Sequence, residues 1–425
     1  MKGLKLTVIG AGSTYTPEIV EGLINRRETL PMKTLCFMDI DREKMGVVAG
    51  LVTRMLDKAG FKGEFIQTDD LGQALDGADY VIAQIRVGGL AARIQDEKIP
   101  LKYHLLGQET TGIGGFMKAL RTIGPIMNIA REMEKRCPNA WFINFSNPSG
   151  ILAEAVLKHT GIKMLGLCNC PINMLANIRD EMTHGHDFEY DYVGLNHLSW
   201  ITSVRMDGHE LLTPGAFSLG KGMANIPDVG LNEPLLRSVG AIPSSYLGYY
   251  YNREAHIQEC LSAKRSRGEE CQIIEKELLA QYADPNLAEK PEALSRRGGA
   301  LYSTAAVNLI NSIENDIQDV QVVNTKNLGA LDFLEDSDVV EVPCVIGRDG
   351  IKPVSPKAPV NQHIIGLTRA VKAYEKLTVQ AALTGDRDTA LAALITHPLI
   401  GDYEQAYGAL SEMLAANKPW LENFF

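Results

Sequence analysis

The stretch Leu4-Lys5-Leu6-Thr7-Val8-Ile9-Gly10-Ala11-Gly12-Ser13-Thr14-Tyr15-Thr16-Pro17 runs a short apolar segment into a glycine turn and then into a helix start. The β-branched and aliphatic run reads as a strand. Pro17 suits the first turn of a helix, because the N–H it lacks would have no intrahelical partner there. In this strand, turn, helix order, Gly10 permits the tight turn and Gly12 the close approach of a pyrophosphate, whose charge settles at the helix N-terminus. The third glycine of the dinucleotide fingerprint is absent, and Tyr15 stands near its place. A lone Gly-x-Gly also joins many strands to helices with no nucleotide involved. Here the next strand ends in Phe37-Met38-Asp39, which places a carboxylate for a ribose diol and predicts NAD rather than its 2′-phosphorylated form. The candidate cofactor residues are Gly10, Gly12, Ser13, Thr14 and Asp39.

Outward from this turn, Leu4–Ile9, Thr34–Met38, Glu64–Gln67, Tyr80–Gln84, Trp141–Phe145 and Lys163–Leu167 read as strands separated by amphipathic segments. That alternation predicts an α/β fold, a Rossmann-like doubly wound parallel sheet. Two alternating runs follow, Phe188–Leu195 and Trp200–Met206, and suggest antiparallel pairing. Helical spacing returns in Glu269–Tyr282, Ala300–Asn315, His363–Thr384 and Asp386–Thr396, whereas Leu211–Pro243 is rich in Gly, Pro and Asn and reads as loop or lid. The expected organisation is a cofactor domain over residues 1–168 and an α+β domain over residues 169–425, carrying substrate, metal and oligomer contacts.

The 425 residues are 45% hydrophobic and carry a formal net charge of −10, which argues against nucleic acid as a partner. Seven dispersed cysteines do not resemble a secreted disulfide framework. With no signal-like N-terminal segment and no apolar run of membrane-spanning length, the expected location is the cytoplasm.

Cys168 follows one predicted strand and His197 another, so both are expected to project from strand ends toward a common cleft. A thiolate and an imidazole are legitimate ligands for a divalent ion, and two ligands leave positions open for substrate oxygens. On composition alone, a buried cysteine and a core histidine are the better explanation of the pair.

Taken together, Gly10-Ala11-Gly12-Ser13, Arg86-Val87-Gly88-Gly89, Gly107-Gln108-Glu109-Thr110-Thr111-Gly112, Asn147-Pro148-Ser149-Gly150, Cys168-Asn169 and Gly194-Leu195-Asn196-His197 follow one pattern. It continues through Tyr246-Leu247-Gly248-Tyr249-Tyr250 and Arg265-Ser266-Arg267-Gly268-Glu269. The pattern resembles glycoside hydrolase family 4, and within it the 6-phospho-β-glucosidases, over nearly the whole chain. The resemblance implies a lactate/malate dehydrogenase-like architecture. It also implies hydrolysis of 6-phospho-β-glucosides such as cellobiose 6-phosphate to glucose 6-phosphate, using NAD and Mn²⁺ or another divalent metal. The implied reaction order is C3 oxidation, C2 deprotonation, elimination of the aglycone, water addition and re-reduction. This family departs from the paired-carboxylate rule for glycosidases.

Residue by residue, the resemblance makes Cys168 and His197 metal ligands, Tyr246 the C2 base and Glu109 an acid that raises the tyrosine's basicity. Because Tyr249, Tyr250 and Tyr251 lie close by, the matching tyrosine is open by one turn. Arg93, Asn147, Asn169 and Arg267 match substrate-contacting positions, with Arg86 a further candidate for the cationic pocket that a 6-phosphate needs. Asn169 stands where α-glucoside members carry Asp, and an amide can only hydrogen-bond. Cys170 departs from the small aliphatic residue of the pattern and remains an alternative thiolate. The resemblance also implies a homodimer or homotetramer, and the apolar helices near Ala381–Ile395 are the expected contact. Competing readings are an NAD-dependent 2-hydroxy acid dehydrogenase, a family 4 enzyme such as a 6-phospho-α-glucosidase, and a non-catalytic NAD sensor.

Overall fold

A computed structural model describes residues 3–213, 232–297 and 302–425. The first half supplies six strands, β1 (Leu4–Ile9), β2 (Met32–Met38), β3 (Glu64–Thr68), β4 (Tyr80–Ala83), β5 (Trp141–Asn144) and β6 (Lys163–Gly166). They pair in parallel in the order β3-β2-β1-β4-β5-β6. This is the doubly wound order, whose reversal between β1 and β4 opens a crevice at the strand C-terminal ends. Tyr80, Val81, Ile82 and Ala83 of β4 are all buried, as expected of a central parallel strand covered on both faces.

Helices α1 (Thr16–Asn25), α2 (Arg42–Lys58), α3 (Leu71–Leu75), α4 (Gly89–Lys98), α5 (Gly112–Arg136), α6 (Ser149–His159) and α7 (Asn169–Glu181) connect or follow these strands. Pro17 lies in the first turn of α1, where the sequence places it. The Asp41 side chain caps α2 by accepting the Lys44 N–H, which fixes the chain just beyond Asp39.

The second half adds β7 (Glu189–Leu195), β8 (Leu198–Met206), β9 (His209–Glu210) and β10 (Ile242–Pro243), which form a small antiparallel sheet. Its remaining strands, β11 (Asp319–Lys326), β12 (Val339–Gly347) and β13 (Gly350–Pro353), extend the first sheet to nine strands, with β11 antiparallel to β6. The large sheet is therefore built from both halves of the chain.

The helices of this half are α8 (Glu233–Val239), α9 (Leu247–Tyr251), α10 (Arg253–Ser262), α11 (Arg267–Tyr282), α12 (Tyr302–Asn315), α13 (Gln362–Thr384), α14 (Arg387–Thr396) and α15 (Tyr403–Ala416). α13 packs on α5 and α6, while α11 packs on α4 and α2. Of the stretch expected to be loop, residues 214–231 lie outside the described residues, and Glu233–Val239 is helical. The Asn232 side chain accepts the Leu235 N–H, and Gly240 closes the helix at φ 65°. These are ordinary start and stop signals, hidden by the Gly, Pro and Asn content around them.

Candidate active site

A cavity of about 770 Å³ opens at the C-terminal ends of the parallel strands. One part is walled by Gly10, Gly12, Ser13 and Asp39, and another by Arg93, Glu109, Asn147, Asn169, Tyr246 and Arg267. Ten of the candidate residues thus share one space. Thr14, Cys168 and His197 do not line it.

The glycine turn is preset by short contacts. The Gly10 and Ala11 amides donate to the Met38 carbonyl, and the Gly12 N–H donates to Asp39 Oδ2 at 2.7 Å. Gly10 has φ 81°, and a Cβ at that position would sit 2.9 Å from the Gln84 carbonyl oxygen. A Cβ on Gly12 would sit 2.9 Å from Asp39 Oδ2. The backbone approach and the carboxylate that a dinucleotide needs are both in place, so the residues fit that group. Ser13 lines the cavity, whereas Thr14 is buried beneath it, and its carbonyl accepts the Tyr282 hydroxyl at 2.7 Å.

At the other end Glu109 gathers three cations. It pairs with Arg86, with Arg93 at 2.9 Å and with Lys118 at 2.9 Å. Burial opposes the Glu109 charge, but Arg86, Arg93 and Lys118 outweigh it and hold the carboxyl well below its usual range. Burial and the neighbouring Arg86 push Lys118 down to about 7, against the pull of Glu109. Arg93 is further engaged by Glu97 at 2.8 Å. Arg267 opens α11 and pairs with Glu270.

Four tyrosines cluster at α9, and Tyr246 alone among them lines the cavity. Tyr249 packs against His256, Tyr250 against His397 and Tyr251 against His363. Tyr246 stacks on the His197 ring with centroids 3.8 Å apart and planes 14° from parallel.

His197 sits in the turn between β7 and β8 at φ 63° and is buried. Among the described residues its Nδ1 has no hydrogen-bond partner. Burial, with Lys118 nearby, pushes the imidazole down to about 3. Cys168, buried, precedes α7, and its sulfur accepts the Cys170 N–H and a hydrogen bond from the Asn196 side chain. The Asn196 amide is held in turn by Glu341 at 3.1 Å and by the Ser149 N–H at 3.1 Å. Neither Cys168 nor His197 projects into the cleft itself; each adjoins a residue that does, Asn169 for one and Tyr246 for the other.

No group of three His, Cys, Asp or Glu side chains positioned for a metal occurs among the described residues. The unpartnered Nδ1 of the buried, neutral His197 imidazole fits an open divalent site whose other positions are left to a thiolate and to oxygen ligands. Cys170 is fully buried and does not line the cavity. All seven cysteines are free, and no described helix is long and apolar enough to cross a membrane.

Three residues of this region carried no signal as candidates in the sequence. Lys118 and Glu341 sit inside apolar helix and strand patterns, and Trp420 lies far along the chain. Only the packing brings them to the site.

The chain is 40% identical to a 6-phospho-β-glucosidase of Escherichia coli over 99% of this chain and 97% of that one. It is 31% identical to a 6-phospho-α-glucosidase of Leptotrichia buccalis over 98% of each. A structure of the Thermotoga maritima 6-phospho-β-glucosidase with manganese, NAD⁺ and glucose-6-phosphate superposes at a TM-score of 0.90 and 36% identity, covering 98% and 99% of the chains. Malate dehydrogenase of Plasmodium falciparum, at 14% identity and a TM-score of 0.54, shares the fold. The family 4 glycosyl hydrolase model matches residues 5–184, and its C-terminal domain model matches residues 192–400. The chain belongs to glycosyl hydrolase family 4.

Proposed function

We propose that this protein hydrolyses 6-phospho-β-glucosides to glucose 6-phosphate and an aglycone, with NAD and a divalent metal as cofactors. The observation that carries the reading is one cavity joining the Gly10–Asp39 turn to Tyr246, Asn169 and the arginines. When bound, the nicotinamide accepts and returns a hydride at sugar C3, and the metal acts as a Lewis acid at the sugar oxygens.

The chain's own residues divide the remaining work. Cys168 and His197 would hold the metal, and the buried setting keeps the imidazole neutral and its lone pair available. Tyr246 presents its phenol to the cavity and takes the C2 proton, which a C3 ketone makes acidic. Its stack on His197 fixes the ring. Glu109 orders Arg86, Arg93 and Lys118 around the sugar end of the cavity. Arg267 is the cation we assign to the 6-phosphate, together with Arg93, because guanidinium groups match phosphate oxygens in pairs. Asn147 and Asn169 hydrogen-bond sugar hydroxyls; an amide at 169 cannot protonate a leaving group, which favours a β-linked substrate.

The test is to follow cellobiose 6-phosphate with NAD⁺ and Mn²⁺ while reading glucose 6-phosphate and NADH together. Glucose 6-phosphate is expected without net NADH, whereas stoichiometric NADH would make the protein a dehydrogenase. We further propose a cytoplasmic homodimer or homotetramer joined through the face where Leu383 and Ile395 are exposed. Light scattering that finds only monomer at working concentration would contradict this.

A further inference from the structure

The chain's C-terminal turn reaches the cofactor cavity. Trp420 ends the short turn Lys418–Trp420, lines the cavity and is 42% exposed. Asn417, Leu421 and Phe424 are buried, so the backbone on both sides of Trp420 is locked while its ring is left uncovered.

The lock is specific. Asn417 Oδ1 accepts from Arg121 of α5 at 2.8 Å, and the same guanidinium pairs with Asp96 of α4 at 2.6 Å, all buried. Beyond Trp420, Arg387 Nε donates to the Phe424 carbonyl at 3.1 Å, and Asn423 donates to the Ala382 carbonyl at 3.0 Å. The indole edge lies against Gly88, where an added Cβ would stand 3.3 Å from Cη2 and 3.4 Å from Cζ2. Gly88, at φ 78°, is the residue from which α4 starts.

A second exposed apolar side chain lines the same cavity. Ile40 is 88% exposed and directly follows Asp39, the residue placed for the ribose diol of the adenosine half. An adenine attached to that ribose therefore begins beside Ile40. A flat heterocycle gains from an aromatic face, and a ring held rigidly before binding loses little entropy when it is used.

We propose that Trp420 is an adenine-binding residue, so that the base of the dinucleotide lies between Ile40 on the β2 side and the Trp420 ring on the Gly88 side. This rests on the NAD reading above and adds to it a cofactor contact made by the C-terminal turn.

The test uses the full-length protein and calorimetric titration with NAD⁺ and, separately, AMP, which carries the adenosine half alone. Trp420→Ala is expected to weaken both ligands about tenfold, the worth of one stacked base, and Trp420→Phe to weaken them less. AMP should also quench the emission of the wild type, and that quenching should vanish in Trp420→Phe, where Trp141 and Trp200 remain. Because Trp420→Phe keeps a ring, this quenching arm decides the matter even if Trp420→Ala does not fold. Wild-type affinity in Trp420→Ala, or undiminished quenching in Trp420→Phe, would overturn the adenine contact and leave the NAD reading standing. A wild type that binds neither ligand removes both.

Discussion

The phenol ring of Tyr246 lies face to face with the imidazole of His197, 3.8 Å away between centroids. Two distant segments meet in that contact. His197 is presented by the turn between β7 and β8, and Tyr246 by the residue that caps α9. The stack orients both rings, so the group proposed to bind the metal and the group proposed to take the C2 proton are placed by one interaction. Replacing Tyr246 by phenylalanine keeps the stacked ring and removes only the hydroxyl. Turnover is expected to fall by about 10²–10⁴, the usual contribution of a positioned base. Solvent deuterium should no longer enter C2, and normal exchange in this variant would remove Tyr246 as the base.

The metal assignment makes a separate prediction. Cys168→Ser and His197→Ala should each lose bound Mn²⁺, measured by elemental analysis after dialysis, while Cys170→Ser should keep it. Retention of metal in both of the first two variants would move the site elsewhere.

Glu109 holds Arg86, Arg93 and Lys118 together in a largely buried place. Glu109→Gln leaves those cations without their shared partner, and the expected loss of stability is about 3–5 kcal/mol, as for breaking a buried pair. Adding Lys118→Met to that variant should recover part of it. The depressed carboxyl also sets a pH dependence. The Glu109 contribution is complete above its ordinary carboxylate range and is lost only as pH falls toward its lower folded value. Urea unfolding of the single and double variants measures both effects.

His397 predicts a window of acid sensitivity. Burial pushes it down to about 3, and its Nδ1 accepts the Leu399 N–H at 3.1 Å, so the folded protein holds it neutral. Because the unfolded chain binds a proton near pH 6.5, stability from this residue is complete above that pH. It falls by about 1.4 kcal/mol per unit as pH drops toward 3. Urea midpoints between pH 7 and 4 should decline less steeply in His397→Gln than in the wild type.

The parallel sheet and its glycine turn were legible because each is a local pattern: β-branched runs, a Gly-x-Gly and a proline in the first helical turn. The three strands β11, β12 and β13 went unread as part of that sheet, since the pairing of β11 with β6 joins residues far apart in the chain. The strand, turn and acid order gave Gly10 and Asp39, the family pattern gave Arg93, Glu109, Asn147, Asn169, Tyr246 and Arg267, and all of them line one cavity. The family pattern did not reveal Lys118, because a lysine within a 25-residue helix ordinarily reads as a solvated face. Here the helix is buried along its first three turns, and the lysine is matched by Glu109. Trp420 carried no motif at all; its meaning comes from the turn that Asn417 and Arg121 anchor.

The most direct measurement is release of p-nitrophenol from its β-glucoside 6-phosphate under reducing conditions, with and without NAD⁺ and Mn²⁺, beside the unphosphorylated glucoside and the α anomer. Release that requires both additions and is confined to the phosphorylated β substrate is the predicted result. Release without either addition, or from the α anomer in preference, would contradict it.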